Sequence, residues 1–250
     1  DYMYEPPLVS MHYSPYYEHF RAGAAIYPRC FFFVDFVVHP TLGIDVKKPL
    51  VKTSEEVMKD AKEPWKNIRL SGNVEAEFIY ATLLGGDIIP FGYVKIRPII
   101  LPAQAHSTGY HLLDVEVLRN RGFSNTADWF ERAQELWREY ATRRALENYP
   151  RLVKYINHMN LLSSQNPAKK FIVLYNTAGK NIASCVIERQ KLRPFTINKA
   201  VIYPRGFVVE KKNMFYETND KLEAHYLCAI LNSDTVNQMI KPLQTRGLYG

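Results

Sequence analysis

Hydrophobic and polar positions in this chain are arranged in two ways, and each arrangement predicts a different kind of element. Short apolar runs bounded by turn residues predict β-strands. The predicted strands cover residues 30–38, 88–101, 111–118, 171–175, 182–187 and 206–209. The first of them, CFFFVDFVV, is the most apolar and is predicted to be buried.

Apolar positions that recur every three to four residues predict amphipathic helices. The longest helix is predicted from Asn125, and helical structure continues or restarts as far as His158. Another helix is predicted at residues 73–84, which open on a capping asparagine with acids in the first turn and are followed by a glycine. The chain is predicted to end with two helices, at residues 221–232 and 234–244.

The order of these predicted elements is mixed and does not follow a regular β-α alternation. Such an order favours an α+β fold over a doubly wound α/β sheet. We therefore expect a largely antiparallel β-sheet core with flanking and C-terminal helices, in one domain of residues 1–250. Residues 125–160 form a possible helical appendage. Because the sequence opens abruptly with DYMYEPP and stops at GLYG, we expect it to be a fragment of a longer polypeptide.

Composition indicates a folded globular protein, with 47% hydrophobic and 13% aromatic residues. The three cysteines, Cys30, Cys185 and Cys228, are far apart and lack C-x-x-C spacing. They indicate neither a disulfide framework nor a zinc site, which fits a reducing cytoplasm. The most apolar run, residues 30–38, is much shorter than the roughly 20 residues that span a bilayer, so no membrane partner is expected.

Positive charge is concentrated in one part of the chain. Residues 151–216 contain twelve Lys and Arg against two acidic residues, a net charge of +10, whereas the whole chain carries +7. These cations are interleaved with predicted strands, so we expect them on loops and strand edges. Such a surface attracts a polyanion, because Lys and Arg release the counterions that are condensed on phosphates. A solvated surface that only keeps the protein soluble is the alternative.

Motifs for catalysis are scarce. The seven histidines show no metal-binding spacing, and no Walker loop, G-x-S-x-G or G-x-G-x-x-G occurs. Asn166 and Pro167 begin like the N-P-P-Y motif of amino-group methyltransferases, in which the target base is held. Ala168 and Lys169 follow them here, so the second proline and the aromatic residue of that motif are missing.

A second partial motif lies at Glu210 and Lys212, which match the E-x-K half of a metal-dependent nuclease site. A magnesium pocket of that kind needs another acid about ten to twenty residues upstream. None lies between Ile197 and Val209, and Glu188 is the nearest. A nuclease is therefore kept as an alternative function.

Four segments, taken in order, resemble one family. They are RAGAAIYPRCFFFV (21–34), GNVEAEFIYATLLGGDIIPF (72–91), LLSSQNPAKKFIVLYNTAGKNIASCVI (161–187) and EAHYLCAILNSDTVNQMIKPLQTRGLYG (223–250). The family is the C-terminal target-recognition region, called a TaqI-like specificity domain, of adenine-specific DNA methyltransferases from restriction–modification systems. The resemblance spans nearly the whole chain.

The resemblance implies a module that recognises duplex DNA for a methyltransferase. The catalytic domain of such an enzyme would lie N-terminal to Asp1 in the same polypeptide. It would bind S-adenosylmethionine and carry the N-P-P-Y loop. This chain alone is therefore expected to hold no cofactor and to have no methylation activity.

A recognition module needs Lys and Arg for phosphates and forked side chains for base edges. The turn NTAGK at residues 176–180 offers an amide, a glycine and a cation. Tyr203 is our candidate for a side chain inserted between base pairs. Gln244 and Arg246 match a Q-S-R-G pattern of the family, but their place at a helix end favours capping. The candidates for phosphate or base contacts are Arg29, Asn176, Lys180, Arg193, Arg205, Lys211 and Lys212.

Two other binding functions are open. A stand-alone specificity subunit would contain two such modules joined by long helices, whereas one set of segments occurs here. A basic surface also suits an acidic protein partner. Competition with duplex DNA would distinguish that partner from the nucleic acid.

Overall fold

The structure is a computed structural model that describes residues 14–243. It confirms the predicted α+β class, because helices and largely antiparallel strands are both present in mixed order. The strands are β1 Arg21–Ala22, β2 Val34–Phe36, β3 Leu50–Thr53, β4 Ser71–Asn73, β5 Ile79–Thr82, β6 Ile88–Ile89, β7 Gly92–Tyr93, β8 Arg97–Ile100, β9 Ala103–Ala105, β10 Tyr110–Leu112, β11 Phe171–Asn176, β12 Ser184–Glu188, β13 Phe195–Ile197, β14 Ala200–Ile202 and β15 Asn213–Thr218. The helices are α1 Arg29–Phe32, α2 Glu55–Met58, α3 Val115–Asn120, α4 Ser124–Tyr140, α5 Arg143–Asn148, α6 Leu152–Ile156, α7 Lys221–Leu231 and α8 Asp234–Ile240.

The largest sheet has four strands in the order β1-β15-β11-β12, and each neighbouring pair is antiparallel. Successive side chains of a strand point to opposite faces, so β11 contributes to two separate hydrophobic clusters. Ile172 and Leu174 belong to a cluster on one face, with Phe207 and Phe215. Val173 belongs to the cluster on the other face, which α7 covers. Burial on both faces explains why this strand is a continuous apolar run.

A third and larger cluster joins the N-terminal segments to the helices of residues 125–160. Phe31 and Phe32 of α1 are buried in it together with Trp129 and Phe130 of α4. The indole Nε1–H of Trp129 donates a hydrogen bond to the carbonyl of Phe31 (2.9 Å). The stretch considered as a possible appendage therefore shares the main hydrophobic core.

An extended segment at residues 206–209 connects the clusters. Val208 donates to the carbonyl of Ala81 (2.9 Å), and Ala24 donates to the carbonyl of Val209 (2.7 Å). These bonds form parallel bridges on either side of the segment. Gly23 is required beside it, because a Cβ there would lie 2.4 Å from the carbonyl oxygen of Glu210. The predicted strand at 206–209 is thus extended backbone held by isolated bridges.

The predicted helix at residues 73–84 is wrong. Ala76–Phe78 form a single 3₁₀ turn, and the chain then enters β5, which pairs with β8. All four residues of β5 are buried, with Ile79 and Tyr80 in one cluster and Ala81 in another. Burial on two faces favours a strand, and this pairing outweighs the local capping signals.

Three strand predictions are wrong in part. Residues 30–32 belong to the helical turn α1, and the strand begins only at Val34. In the stretch 111–118 the strand β10 ends at Leu112, and α3 begins at Val115. The stretch 88–101 contains a short hairpin followed by β8, so it is not one continuous strand. The predictions for β11, β12, α4, α7 and α8 are confirmed.

The N-terminus of α4 is held by a buried acid from another part of the chain. The Glu75 carboxylate accepts hydrogen bonds from the backbone N–H groups of Asn125 (3.2 Å) and Thr126 (2.8 Å) and from the Thr126 hydroxyl (2.5 Å). Burial by itself raises the pKa of Glu75. The hydrogen bonds from Thr126 and Asn125 together lower it by more, so the pKa of Glu75 lies below its usual value. A negative charge is also favourable at a helix N-terminus.

This arrangement makes part of the stability dependent on pH. The pKa of Glu75 is lower in the folded state than in the unfolded state, where it is about 4.3. The ionised Glu75 therefore stabilises the fold fully above about pH 4.3, and this contribution is lost as the pH falls through the pKa of the folded state. At neutral pH, Glu75→Gln should lower the free energy of unfolding by about 1–2 kcal/mol. Urea denaturation between neutral and acidic pH should show the two proteins converging on acidification; a constant difference would contradict this account.

All three cysteines are buried, as Cys30 and Cys185 are 0% exposed and Cys228 is 2% exposed. Each belongs to a different hydrophobic cluster of the fold. Burial raises the pKa of the Cys30 and Cys185 thiols to about 12. Over residues 14–243, no helix has the length and apolar character needed to cross a membrane.

Candidate nucleic-acid interface

The basic residues of 151–216 divide into those held in ion pairs and those that are not. Arg189 is bound to the buried Glu217 (2.6 Å), Lys191 to Glu188 (2.8 Å) and Arg151 to Asp114 (3.0 Å). Within the described residues, seven exposed cations of this stretch form no ion pair: Lys154, Lys170 and, between residues 193 and 212, a further five, Arg193, Lys199, Arg205, Lys211 and Lys212. These five fall into two groups on the surface.

The first group, the hairpin cluster, consists of Arg193, Lys199, Tyr203 and Arg205. Strands β13 and β14 form a two-stranded hairpin with Lys199 in its turn. Arg193 precedes the hairpin, and Tyr203 and Arg205 follow it. Tyr203 is 69% exposed, so its ring is accessible to solvent.

Apolar contacts fix the hairpin to the body of the protein. Phe195 packs against Phe36, with ring centroids 5.6 Å apart, and Ile202 is buried in the main cluster. The backbone N–H of Arg205 donates to the carbonyl of Ile79 (2.8 Å). The base of the hairpin is therefore anchored, while its turn and its cations face outward.

The second group, the turn cluster, consists of Lys180, Lys211 and Lys212. Thr177 donates from both its N–H and its hydroxyl to the carbonyl of Lys212, at 3.0 and 2.8 Å. These bonds hold the turn that carries Lys180 against the segment that carries the other two lysines. All three lysines are exposed.

Asn176 has a structural role in this turn. Its amide nitrogen donates to the carbonyls of Ala178 (2.7 Å) and Asn181 (3.3 Å), and its amide oxygen accepts from the N–H of Ala183 (2.7 Å). Both donor hydrogens are therefore used within the turn. The amide that we propose for base or phosphate contact also shapes the loop that carries Lys180.

Arg29 also has internal partners. Its guanidinium lies 3.6 Å from the carboxylate of Glu210 and 5.8 Å from the ring centroid of Phe33. Its side chain is 20% exposed, so part of the charge faces solvent next to the turn cluster. Arg21 of β1 forms a 2.8 Å ion pair with Glu217 of β15.

Beside the turn cluster lies a cavity of about 290 Å³, which we call the aromatic pocket. Its walls include three aromatic side chains from distant parts of the sequence, Tyr27, Trp65 and Tyr155. Its charged lining is formed by Arg29, Asp60, Lys62, Glu210, Lys211 and Lys212. No spacing in the sequence pointed to this pocket.

Glu210 is the most buried charged group of the pocket, at 5% exposure. Its carboxylate accepts a hydrogen bond from the N–H of Lys212 (3.0 Å). Burial raises the pKa of Glu210, and the contacts with Lys212 and Arg29 oppose this rise only in part. The carboxyl group is thus closer to protonation at neutral pH than an exposed one.

The described structure places no set of metal-binding side chains around Glu210 of the kind that a nuclease site would need. Between residues 14 and 243, no group of three or more His, Cys, Asp or Glu side chains is placed to hold a metal ion.

Asn166, which begins the partial N-P-P-Y motif, forms hydrogen bonds within the protein. Asn166 donates its N–H to Glu217 (3.0 Å) and accepts from the N–H of Ala168 (2.9 Å). Gln244 and Arg246 lie outside the described residues.

The hairpin cluster and the turn cluster lie at the two ends of the extended segment 206–209. Arg205 precedes this segment, and Lys211 follows it after Glu210. Fully extended backbone advances about 3.3 Å per residue, so the Cα atoms of Arg205 and Lys211 are at most about 20 Å apart. Because the segment is hydrogen-bonded on both sides, the separation between the clusters is fixed.

No protein-family model matches this chain, and a search of curated proteins gives no match. The function proposed for this interface therefore rests on its residues, its geometry and the four resembling segments.

Proposed function

We propose that this chain binds duplex DNA as the target-recognition module of an adenine-specific DNA methyltransferase of a restriction–modification system. Its catalytic domain, with S-adenosylmethionine as cofactor, would lie in the same polypeptide outside this chain and act in the cytoplasm. The observation that carries the proposal is the hairpin cluster. A two-stranded ribbon carries the exposed Lys199 in its turn and is flanked along the chain by the exposed Arg193, Tyr203 and Arg205, and the three cations form no ion pair with a described residue.

The geometry of the hairpin suits DNA for physical reasons. The major groove of B-DNA admits a two-stranded β-ribbon. Arg193 and Arg205 each present a forked guanidinium that matches the N7 and O6 acceptors of guanine or a phosphate group. Lys199 in the turn supplies a flexible positive charge for the backbone. Tyr203 offers an exposed ring that can stack on a base or enter a base step.

The turn cluster supplies a second phosphate contact at most about 20 Å away along the extended segment. Lys211 and Lys212 form no ion pair with a described residue, so binding a phosphate breaks no such bond. Two anchored groups of cations favour one orientation of the duplex over others. Contacts of this type position a protein on DNA, while base contacts give the sequence preference.

The partner catalytic domain has a candidate contact surface on α7. Leu222, Tyr226 and Ile230 follow one another at helical spacing and are 81%, 62% and 39% exposed. An apolar stripe of this kind on a surface helix marks a site of protein contact. We assign it to the catalytic domain, because α7 belongs to one of the segments that resemble the methyltransferase family.

The test is equilibrium binding to a pool of random duplexes at several salt concentrations between roughly 50 and 200 mM. Each phosphate contact contributes about 0.9 to the slope of log affinity against log salt. Replacing Arg193, Lys199 and Arg205 by alanine should therefore reduce that slope by up to about 2.7. Sequencing of the retained duplexes then reports whether the isolated chain selects a motif.

A matched control removes the same charge elsewhere, by replacing the exposed residues Lys47, Lys48 and Lys59 with alanine. The slope should change little in this variant. An equal loss in both variants would show general attraction of a basic protein and would contradict an interface at the hairpin. No binding to duplex at low salt, together with capture of an acidic protein, would favour the protein partner instead.

A further inference from the structure

The aromatic pocket has walls that suit a planar ring. Tyr27 is 41% exposed, and its ring lies edge-on to Trp65, with centroids 6.5 Å apart. Trp65 is 7% exposed and stacks on Trp137 at 5.9 Å with an interplanar angle of 15°. This stack fixes the orientation of the Trp65 wall. A rigid aromatic wall beside an accessible one favours binding of a flat, polarisable group such as a nucleobase.

The polar part of the pocket matches the edge of an amino-bearing base. Glu210 presents a nearly buried carboxyl group that only Arg29 and the N–H of Lys212 contact in the described structure. A carboxylate accepts from an exocyclic amine, and a carboxylic acid can also donate to a ring nitrogen. Burial raises the pKa of Glu210, so its protonated form is more accessible than that of an exposed carboxyl group. Adenine and cytosine each present such an amine beside a ring nitrogen.

The remaining lining suits a phosphate. Lys62, Lys211 and Lys212 are exposed and line the same cavity as the aromatic rings. Typical ligand pockets measure about 300–1,000 Å³, so a cavity of about 290 Å³ is at the small end of that range. Its size fits one nucleotide better than a dinucleotide cofactor.

We propose that the aromatic pocket binds a single nucleotide, with its base against Tyr27 and Trp65, its amino edge at Glu210 and its phosphate at the rim lysines. Two sources supply this chemistry. The nucleotide is either one unit extruded from a bound duplex, in which case the proposal rests on the DNA-binding function, or a free nucleoside monophosphate. The pocket is separate from the hairpin cluster and can be tested by itself.

The experiment uses 2-aminopurine, a fluorescent base that is quenched when it stacks on aromatic rings. Three probes are titrated with the full chain: the free 2-aminopurine monophosphate, a duplex with one unpaired 2-aminopurine, and a fully paired duplex. Saturable quenching of the free nucleotide identifies a soluble ligand, while quenching of the unpaired duplex alone identifies an extruded unit. Either result supports the pocket.

Single substitutions test whether the quenching arises from binding in the aromatic pocket. Tyr27→Ala removes an exposed wall and should raise the dissociation constant about 5- to 150-fold, the effect of losing one base–aromatic stack. Glu210→Gln tests the polar edge at nearly constant volume. The control is Phe91→Ala, which removes a 66% exposed aromatic ring that does not line the pocket and should leave binding of the free nucleotide unchanged. Thermal melting of each variant confirms that it is folded.

Failure of this proposal is distinguishable from failure of the proposed function. If the paired duplex binds but neither the free nor the unpaired probe is quenched, the pocket proposal is overturned and DNA binding stands. If the free nucleotide is quenched but no duplex binds, the pocket stands and DNA recognition is overturned. Equal quenching by the parent chain and Tyr27→Ala also overturns the pocket.

Discussion

Glu217→Ala is expected to lower the free energy of unfolding by about 3–5 kcal/mol, the cost of leaving a buried charge without its partner. The Glu217 side chain is 3% exposed and binds Arg189 (2.6 Å) and Arg21 (2.8 Å). The Arg189 side chain is itself only 8% exposed. Truncation of the acid would leave a guanidinium in the interior that retains its bond to the carbonyl of Phe207 but lacks a counter-charge.

The same substitution also removes the acceptor for the N–H of Asn166. Urea denaturation with an unchanged m-value would measure the effect. Asp128→Ala is a suitable control, because it breaks an ion pair with Arg119 in which the acid is 66% exposed, and such pairs contribute little. A Glu217→Ala variant as stable as this control would show that water reaches and compensates Arg189.

Trp137→Ala should lower the free energy of unfolding by about 3–5 kcal/mol, as is typical of large aromatic residues truncated in a core. Trp137 is 2% exposed and packs between Trp65, at 5.9 Å, and Tyr155, at 4.6 Å. Its indole N–H donates to the carbonyl of Tyr149 (3.0 Å). The variant therefore loses apolar contact, aromatic stacking and a hydrogen bond that joins α4 to the segment after α5.

Trp137→Phe separates these contributions, because it keeps most of the ring contacts and loses the hydrogen bond. It should be affected less than the alanine variant in the same urea titration. A small effect of Trp137→Ala would mean that α4 is not required for the stability of the main cluster. Because Trp65 and Tyr155 also line the aromatic pocket, a destabilised stack should weaken nucleotide binding as well.

The sequence correctly predicted those helices and strands whose burial follows from the spacing of their own apolar residues. Helix α4 begins one residue before the predicted start. It was predicted because its apolar stripe of Trp129, Ala133 and Trp137 is a strong helical signal. Strand β11 was predicted from its continuous apolar run. The helix predicted at residues 73–84 failed, because its state depends on pairing with β8, which local capping signals do not report.

The sequence likewise predicted only part of the candidate interface. Net charge located the cations, since it needs no knowledge of the fold. The engagement of Asn176 within its own turn depends on loop geometry, which the residue types alone do not determine. The aromatic pocket was missed because Tyr27, Trp65 and Tyr155 are far apart in sequence and only the fold brings them together.

The distribution of the cysteines gives the protein three internal reporters of local opening. Cys30, Cys185 and Cys228 lie in separate hydrophobic clusters, so a thiol reagent reaches each one only when its own cluster opens. Regions of one protein can open with different free energies. The three labelling rates therefore distinguish a fold that opens as one cooperative unit from one whose sheet, C-terminal helix and N-terminal core separate independently.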